Sequence, residues 1–266
     1  MYSLETQQID LLVTANHRMY VQESTRDRER PYKLVRADTL LGKRVRYKKD
    51  GNWAGRAAAV NGSGVLGLTG RDYLALLGMF LSEGCCVNAP ESGTYGIDIA
   101  QVKPTGREEL FAELDRMGVR YTKTPDRARI HSKEALAHFQ TFGKCKDKFI
   151  PNEVFDYPKD DLDVLFRWLM WGDGHTKNDR PICYTTTSRR LADDVQRLCL
   201  HIGKAANIKV DPAHAFEQNG RTYWASERYT VRIINSKLAL GATVGTYITM
   251  TIEKKKSKNN DPSLAK

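Results

Sequence analysis

Two segments constrain the fold of this 266-residue chain more than any other: LLGMFLSEG at positions 76 to 84 and FRWLMWGDG at positions 166 to 174. Each is an apolar run that ends in a small residue, an acid and a glycine. A helix that is apolar all round belongs in an interior, so a carboxylate at its end emerges from the core at a fixed place. Ala75, Gly78 and Ser82 fall at i, i+3 and i+7 and give the first helix a face of small side chains. Their counterparts in the second are Leu165, Trp168 and Gly172. Two such helices packed about an approximate twofold axis set Gly78 against Trp168 and Ser82 against Gly172, with closest approach where Glu83 and Asp173 emerge. Trp168 tolerates a close contact only opposite a small residue, which Gly78 is; it also suits the core of its own half.

Aligning Glu83 with Asp173 reveals one unit written twice. After the first acid, GTYGIDIAQV alternates like a strand, and TGREELFAELDRMG reads as a helix. Thr105 is its expected N-cap, Glu108 completes a capping box, Leu110, Phe111, Leu114 and Met117 form a stripe, and Gly118 ends it. After the second acid, RPICYTTTS is strand-like. SRRLADDVQRLCLHIG is then helical, with Leu191, Val195, Leu198 and Ile202 on one face and Gly203 as its stop. Further strands follow in both units. DRARIHS sets Arg127, Arg129 and His131 against Ala128 and Ile130. SERYTVRIINS sets Arg228, Thr230 and Arg232 against Tyr229, Val231 and Ile233. Period two gives each strand one apolar and one basic face. Both units therefore read as helix, strands, helix, strands, helix. KFIPNEVFDYPKDD between them, with two prolines and an acidic cluster, is the expected linker. The glycine-rich AAAVNGSGVLGLTG places a boundary near residue 66. The expected domains are 1–66, 67–151 and 152–266, the last with a polar tail.

Lys and Arg outnumber Asp and Glu by 42 to 32, a net charge of +10, which suits a polyanionic partner such as nucleic acid. Five cysteines (Cys85, Cys86, Cys145, Cys183 and Cys199) without a Cys-x-x-Cys exclude a disulfide framework or zinc site. They imply a reducing compartment, with most thiols as small core residues. No apolar run reaches the ~20 residues of a membrane span and no leader pattern opens the chain, so a cytoplasmic protein of bacterial or phage type is expected.

Two carboxylates forced together are costly unless a cation neutralises them. Mg²⁺ suits the place, because one or two protein carboxylates satisfy it and waters and phosphate oxygens complete its shell; Mn²⁺ or Ca²⁺ fits the same ligands. Glu83 and Asp173 are the expected ligands, and Gly172 is counted with them at the metal site, opposite Ser82. Arg127, Arg129, Arg228 and Arg232 are the leading nucleic-acid contacts, with cross-strand ion pairing the equal alternative for any one of them. Gln101, Tyr184 and Thr186 are weaker candidates. His175, directly after the second Asp-Gly, is expected to contact phosphate or support the site rather than to bind metal.

The pair LLGMFLSEG and FRWLMWGDG resembles the doubled signature of the LAGLIDADG homing endonucleases, over roughly residues 70 to 253. DKFIP at 147 to 151 is similar to the lysine block after the first unit of intein-borne members, and TTTSRRLADDVQRLCLHIGKAANI to the block after their second motif. The resemblance implies an α+β monomer of two pseudo-symmetric αββαββα halves, with saddle-shaped antiparallel sheets on duplex DNA at a long asymmetric site. It also implies paired acids that bind divalent metal. Lys148 then takes the place of the family's catalytic lysine at the edge of the active site, polarising water or steadying the scissile phosphate. Lys237 and Lys254, Lys255 and Lys256 are candidates for its partner in the second half. A tryptophan at 168 departs from the family's usual small residue. Maturases and transcription regulators share the fold without cutting, but an acid in both motifs together with Lys148 argues for a nuclease.

LLVTANHRMYV at 11 to 21 resembles an intein block in which a threonine and a histidine, here Thr14 and His17, assist the first acyl shift of splicing. KLVRADTLLGKRVRY is similar to the strand that follows in Hint domains. The ends MYSLE and NNDPSLAK lack the splicing nucleophile and the terminal His-Asn. Residues 1–66, a small mostly β segment, are therefore expected to be a relic of a splicing domain. Their STRDRERPYKLVR and GKRVRYKK runs either add to a DNA surface or are simply solvated.

Overall fold

The computed structural model describes residues 1–5, 9–25, 28–48, 51, 53, 55, 64–234 and 245–249. The chain forms two compact units: Asp50–Asn235, and a smaller one made of Met1–Lys49 with Ser236–Lys266.

The smaller unit is mostly β. Its strands are β1 (Tyr2–Glu5), β2 (Asp10–Val13), β3 (Arg18–Thr25), β4 (Arg28–Glu29), β5 (Lys33–Arg36), β6 (Arg44–Lys48) and, from the far end of the sequence, β17 (Gly245–Thr249). The sheet order is β17-β6-β3-β4, with β5 also on β3 and β1-β2 a separate pair. Its core gathers Leu4, Met19, Val21, Ala37, Leu40, Val45 and Tyr47. β17 runs antiparallel to β6, Gly245 opposite Lys48 and Thr249 opposite Arg44, so part of the expected polar tail is a strand of this sheet.

The larger unit begins before the boundary expected at residue 66. The Trp53 indole N–H donates to the Tyr157 carbonyl at 3.1 Å, and its ring meets His201 edge-on at 4.7 Å between centroids. The linker stretch at 56–63, Lys237 and Lys254 to Lys256 lie outside the described residues.

Within the larger unit one order of elements occurs twice. The first half runs α1 (Gly70–Glu83), β7 (Gly84–Ala89), β8 (Thr94–Ala100), α2 (Pro104–Arg116), β9 (Thr122–Lys123), β10 (Arg127–His131) and α3 (Lys133–Phe139). The second runs α4 (Lys159–Gly172), β11 (Gly174–Lys177), β12 (Arg180–Thr186), α5 (Arg189–His201), β13 (Ala205–Asp211), β14 (His214–Gln218), β15 (Arg221–Ala225) and β16 (Arg228–Ile234). The sheet orders β7-β8-β10-β9 and β11-β12-β16-β13 are the same topology, all antiparallel. The fold is α+β, as expected; the closing helix of the second half falls outside the described residues.

Local chemistry explains most element boundaries. The Ser188 hydroxyl caps α5 by accepting from the Leu191 N–H, and Ser132 does the same for α3 from Ala135. β11 and β12 turn through Asn178 and Asp179, both at positive φ, the pattern of a type I′ hairpin. The box expected at Thr105 does not form. Pro104 starts α2 at a position where its missing N–H costs nothing, and Lys103 precedes it without a side-chain cap. The thiols also depart from expectation: Cys199 is buried, but Cys85, Cys86 and Cys145 are exposed, because β7 is an edge strand and Cys145 sits in a surface turn.

Among the described residues no helix is long and apolar enough to cross a membrane.

Candidate functional site

α1 and α4 pack through the small face read from the sequence. A Cβ on Gly78 would stand 2.7 Å from the Trp168 Cβ, and one on Gly172 would stand 2.5 Å from the Ser82 Cβ and 2.8 Å from the Glu83 Cγ. Only hydrogen at these two positions lets the helices approach so closely. The Ser82 hydroxyl returns to its own helix, donating to the Gly78 carbonyl at 2.9 Å, and lies 3.5 Å from the Trp168 carbonyl oxygen of α4. Trp168 is 2% exposed; it lies over Gly78 and also belongs to the unit's core.

This contact brings the two acids together. Glu83 ends α1 and Asp173 closes α4; β7 and β11 begin at the next residues, so each sheet starts at an acid. Burial pushes the Glu83 carboxyl up, opposed by the charges of Lys148 and Lys103. Asp173 is exposed as a residue, yet protein crowds its carboxyl enough that burial, helped by the Glu83 charge, pushes it up to about 7. The donor set fits a hard divalent cation, since two desolvated carboxylates gain from one and oxygen is the ligand it takes. Among the described residues no cluster of three or more His, Cys, Asp or Glu is assembled for a metal. Gly172 serves here by close packing.

Lys148 is 5% exposed. Its ammonium donates to the carbonyls of Phe80 at 2.7 Å, Leu81 at 3.1 Å and Gly84 at 2.8 Å. It also lies 4.9 Å from the centroid of the Phe80 ring. Burial pushes its pKa down. Lys103, exposed at the start of α2, is a second lysine whose charge reaches Glu83; the sequence reading missed it because no motif marks it.

The arginines lie on strand faces that carry Cys85 and Asp98 in the first sheet and His175 and Cys183 in the second. Asp98 is 1% exposed and anchors both first-half arginines. Arg129 binds it with two N–H groups at 2.7 Å, Arg127 reaches it at 3.1 Å, and Arg127 also pairs with Asp126. Arg228 pairs with Asp211 at 3.4 Å. Arg232 is exposed and makes no ion pair among the described residues. β14 and β15 form a separate two-stranded ladder, from His214 opposite Ala225 to Gln218 opposite Arg221. Its Trp224 is 77% exposed; sequence reasoning passed over it.

Three candidates are buried, one of them, Tyr184, within reach of the Asp173 and Glu83 charges. Tyr184 and Thr186 point into the core, at 0% and 9% exposure, because Tyr184 pairs with Val231 on the apolar face of β16. The outward positions of β12 are Cys183 and Thr185. Gln101 is 7% exposed, with its side-chain oxygen accepting from the Lys103 N–H at 3.1 Å. Thr14 and His17 bracket an exposed turn of the smaller unit, with the His17 N–H on the Thr14 carbonyl and the Thr14 hydroxyl on the Asn16 side chain.

Comparison with known proteins gives several likenesses. The chain is 26% identical over 238 residues to the ATP-dependent Clp protease proteolytic subunit of Chlamydomonas moewusii, covering 80% of this chain and 24% of that protein. It is 28% identical over 182 residues to the replicative DNA helicase DnaB of Synechocystis, covering 60% and 20%. The chain thus spans a quarter or less of the length of these relatives. A solved structure of a variant of the homing endonuclease I-DmoI, with its target DNA and manganese, superposes with a TM-score of 0.43 at 13% identity, over 64% of this chain and 90% of that one. The model of the LAGLIDADG-like domain family matches residues 164–240, the span that opens within α4 and runs through β16, and this part of the chain carries a LAGLIDADG-like domain.

Proposed function

We propose that the protein is a monomeric, site-specific endonuclease of double-stranded DNA, using Mg²⁺ held by Glu83 and Asp173. The observation that carries this is the contact of Gly172 with Ser82 and Glu83, which forces two desolvated carboxylates together at the start of two basic-faced sheets. A bound divalent cation supplies neutralisation of phosphate charge and an acidified water for in-line displacement at phosphorus. The chain's own part is to hold that cation with the two carboxylates and to grip the duplex. Arg232, Lys103 and the arginines ordered by Asp98 and Asp211 meet the phosphates and base edges of the groove. Two halves alike in topology but different in sequence suit a long, asymmetric target. The protein acts in the reducing interior of the cell, where DNA lies.

The test is cleavage of a randomised duplex library with Mg²⁺, compared with Ca²⁺ or a chelator. Double-strand cuts at one sequence family, lost in Glu83→Gln and Asp173→Asn while binding survives, support the proposal. Binding without cutting in Mg²⁺ replaces it with a maturase or regulator.

A second reading concerns descent. A segment shared with both a protease subunit and a helicase, over a quarter or less of each, belongs to neither's own chemistry. This supports a mobile element of intein-related origin. The smaller unit, closed by strands from both ends of the sequence, is what an insertion into a pre-existing β domain leaves behind. Thr14 and His17 are then remnants of its splicing chemistry. Fusing candidate flanking segments to the chain and assaying for ligated product tests this; ligation would make the unit active rather than a relic.

A further inference from the structure

The end of α1 has an unusual problem. Of its last carbonyls, that of Phe80 accepts from the Gly84 N–H, but the others lack helical partners and carry the negative end of the helix dipole, and two carboxylates gather beside them. Nor does the helix close with a left-handed residue: Gly84 is extended, at φ −88 and ψ 147, and enters β7 directly. We propose that Lys148 is a positioning residue, a charged cap that fixes the end of α1 and so presents Glu83 to its cation, and that it does not itself act on water or phosphate. This rests on the acid-pair reading above and changes the role of one residue within it.

An ammonium has three N–H donors and no acceptor. All three are used on the carbonyls of Phe80, Leu81 and Gly84, and the Phe80 ring lies within cation–π range of the nitrogen. No proton remains for a phosphate oxygen, and accepting one from water would first require losing one that three carbonyls hold. The three acceptors straddle Glu83 in sequence, two before it and one after, so the lysine locks the backbone from which that carboxylate projects. Lys148 is itself anchored. Its carbonyl accepts from the Ser188 hydroxyl at 2.7 Å, the hydroxyl that also caps α5, and two residues on, the Ile150 N–H donates to Asp194 of α5 at 2.9 Å. The lysine thus ties the end of α1 in the first half to a helix of the second. Among the described residues no lysine or arginine does the same for the carbonyls at the end of α4.

The experiment is Mn²⁺ binding in the absence of DNA, followed by calorimetry and by the manganese electron-spin signal, together with hydrogen exchange of the amides at 82 to 86 in the metal-free protein. Outer partners of metal ligands typically contribute about 10–100-fold to affinity. Lys148→Met should therefore lose Mn²⁺ affinity in that range and exchange faster at the end of α1. Ser188→Ala, which loosens the lysine's support but leaves its ammonium, should move both readouts in the same direction by less, and it serves as the decisive variant if Lys148→Met does not fold. Wild-type Mn²⁺ affinity and exchange in a Lys148→Met protein that no longer cuts would overturn the inference, because the ammonium would then act on the substrate. Glu83→Gln separates the two ideas. If it leaves Mn²⁺ binding intact, the acid-pair reading fails. If it abolishes binding while Lys148→Met and Ser188→Ala preserve it, only the role given to Lys148 fails.

Discussion

Gly78 lies directly beneath Trp168, so that a single added methyl group would meet the tryptophan Cβ at 2.7 Å and the Leu165 carbonyl oxygen at 3.0 Å. A large residue on one helix is matched by the absence of a side chain on the other. Gly78→Ala should therefore destabilise the protein by about 1–3 kcal/mol through overpacking, against a helix-propensity gain of about 1 kcal/mol. Trp168→Ala should cost about 3–5 kcal/mol. Urea denaturation measures both, and a Gly78→Ala midpoint at or above wild type would show that the contact is not tight.

The same packing sets the acids nearer the helix ends. Gly172→Ala should push Ser82 and Glu83 away from α4 and weaken Mn²⁺ binding. Adding Ser82→Gly should restore much of it by moving the missing side chain to the other helix. Isothermal titration of the two single variants and the double variant gives the coupling; strict additivity would mean the two positions do not share one space.

Burial and the Glu83 charge push the Asp173 carboxyl up to about 7 in the folded chain, against an ordinary aspartate value of 3.8. Between those pH values the folded state holds a proton that the unfolded state has released, so metal-free stability falls as pH rises through this window. Acidifying from pH 8 to 5 should raise the melting temperature of metal-free protein through this group. Asp173→Asn should flatten that dependence, and divalent cation should relieve the penalty at high pH. Parallel slopes for wild type and Asp173→Asn would remove Asp173 as the cause.

Asp98 holds two arginines from a buried position. Asp98→Ala should cost about 1.5–3 kcal/mol, the net contribution of hydrogen bonds to a charged group. It should blunt discrimination between target and near-target duplexes more than total affinity, because the arginines remain charged but lose their aim. Competition binding with single-base variants of the selected site would reveal an unchanged ranking if the anchor has no such role.

Among the described residues Arg232 has no acid to satisfy it. Arg232→Ala should weaken binding on all duplexes, or at one base pair if it reads an edge, and as a phosphate contact it should reduce the slope of log affinity against log salt by about 1. Fluorescence anisotropy across a salt series measures this, and an unaltered curve would place Arg232 outside the interface.

The helix contact was legible in the sequence because it depends on composition at fixed spacing. Ala75, Gly78 and Ser82 make a small face whatever surrounds them, and the acids follow at its end. Strand parity was legible where apolar residues mark it, as in β10 and β16. In β12 it was misjudged: Tyr184 and Thr186 face the core, but Ile182 of the same parity is 37% exposed, so no buried aliphatic marks the inward side. Gln101 was misplaced because its burial comes from the N–H of Lys103, a turn contact without periodic signature. The part played by Lys148 was hidden for a similar reason. A motif gives a residue's place, but which carbonyls its ammonium meets depends on a helix some 65 residues earlier in the chain.

The ladder between β6 and β17 has a consequence for how the chain is made. β6 is synthesised long before its neighbour β17, so one edge of the small sheet stays open until β17 leaves the ribosome. The intervening body, whose strand partners all lie within it, is free to fold in the meantime. An open edge invites pairing with other chains, and β6, which reads RVRYK, carries alternating cations that discourage such pairing while it waits. Truncation ahead of Gly245 should accordingly leave the larger unit folded and the small sheet prone to self-association.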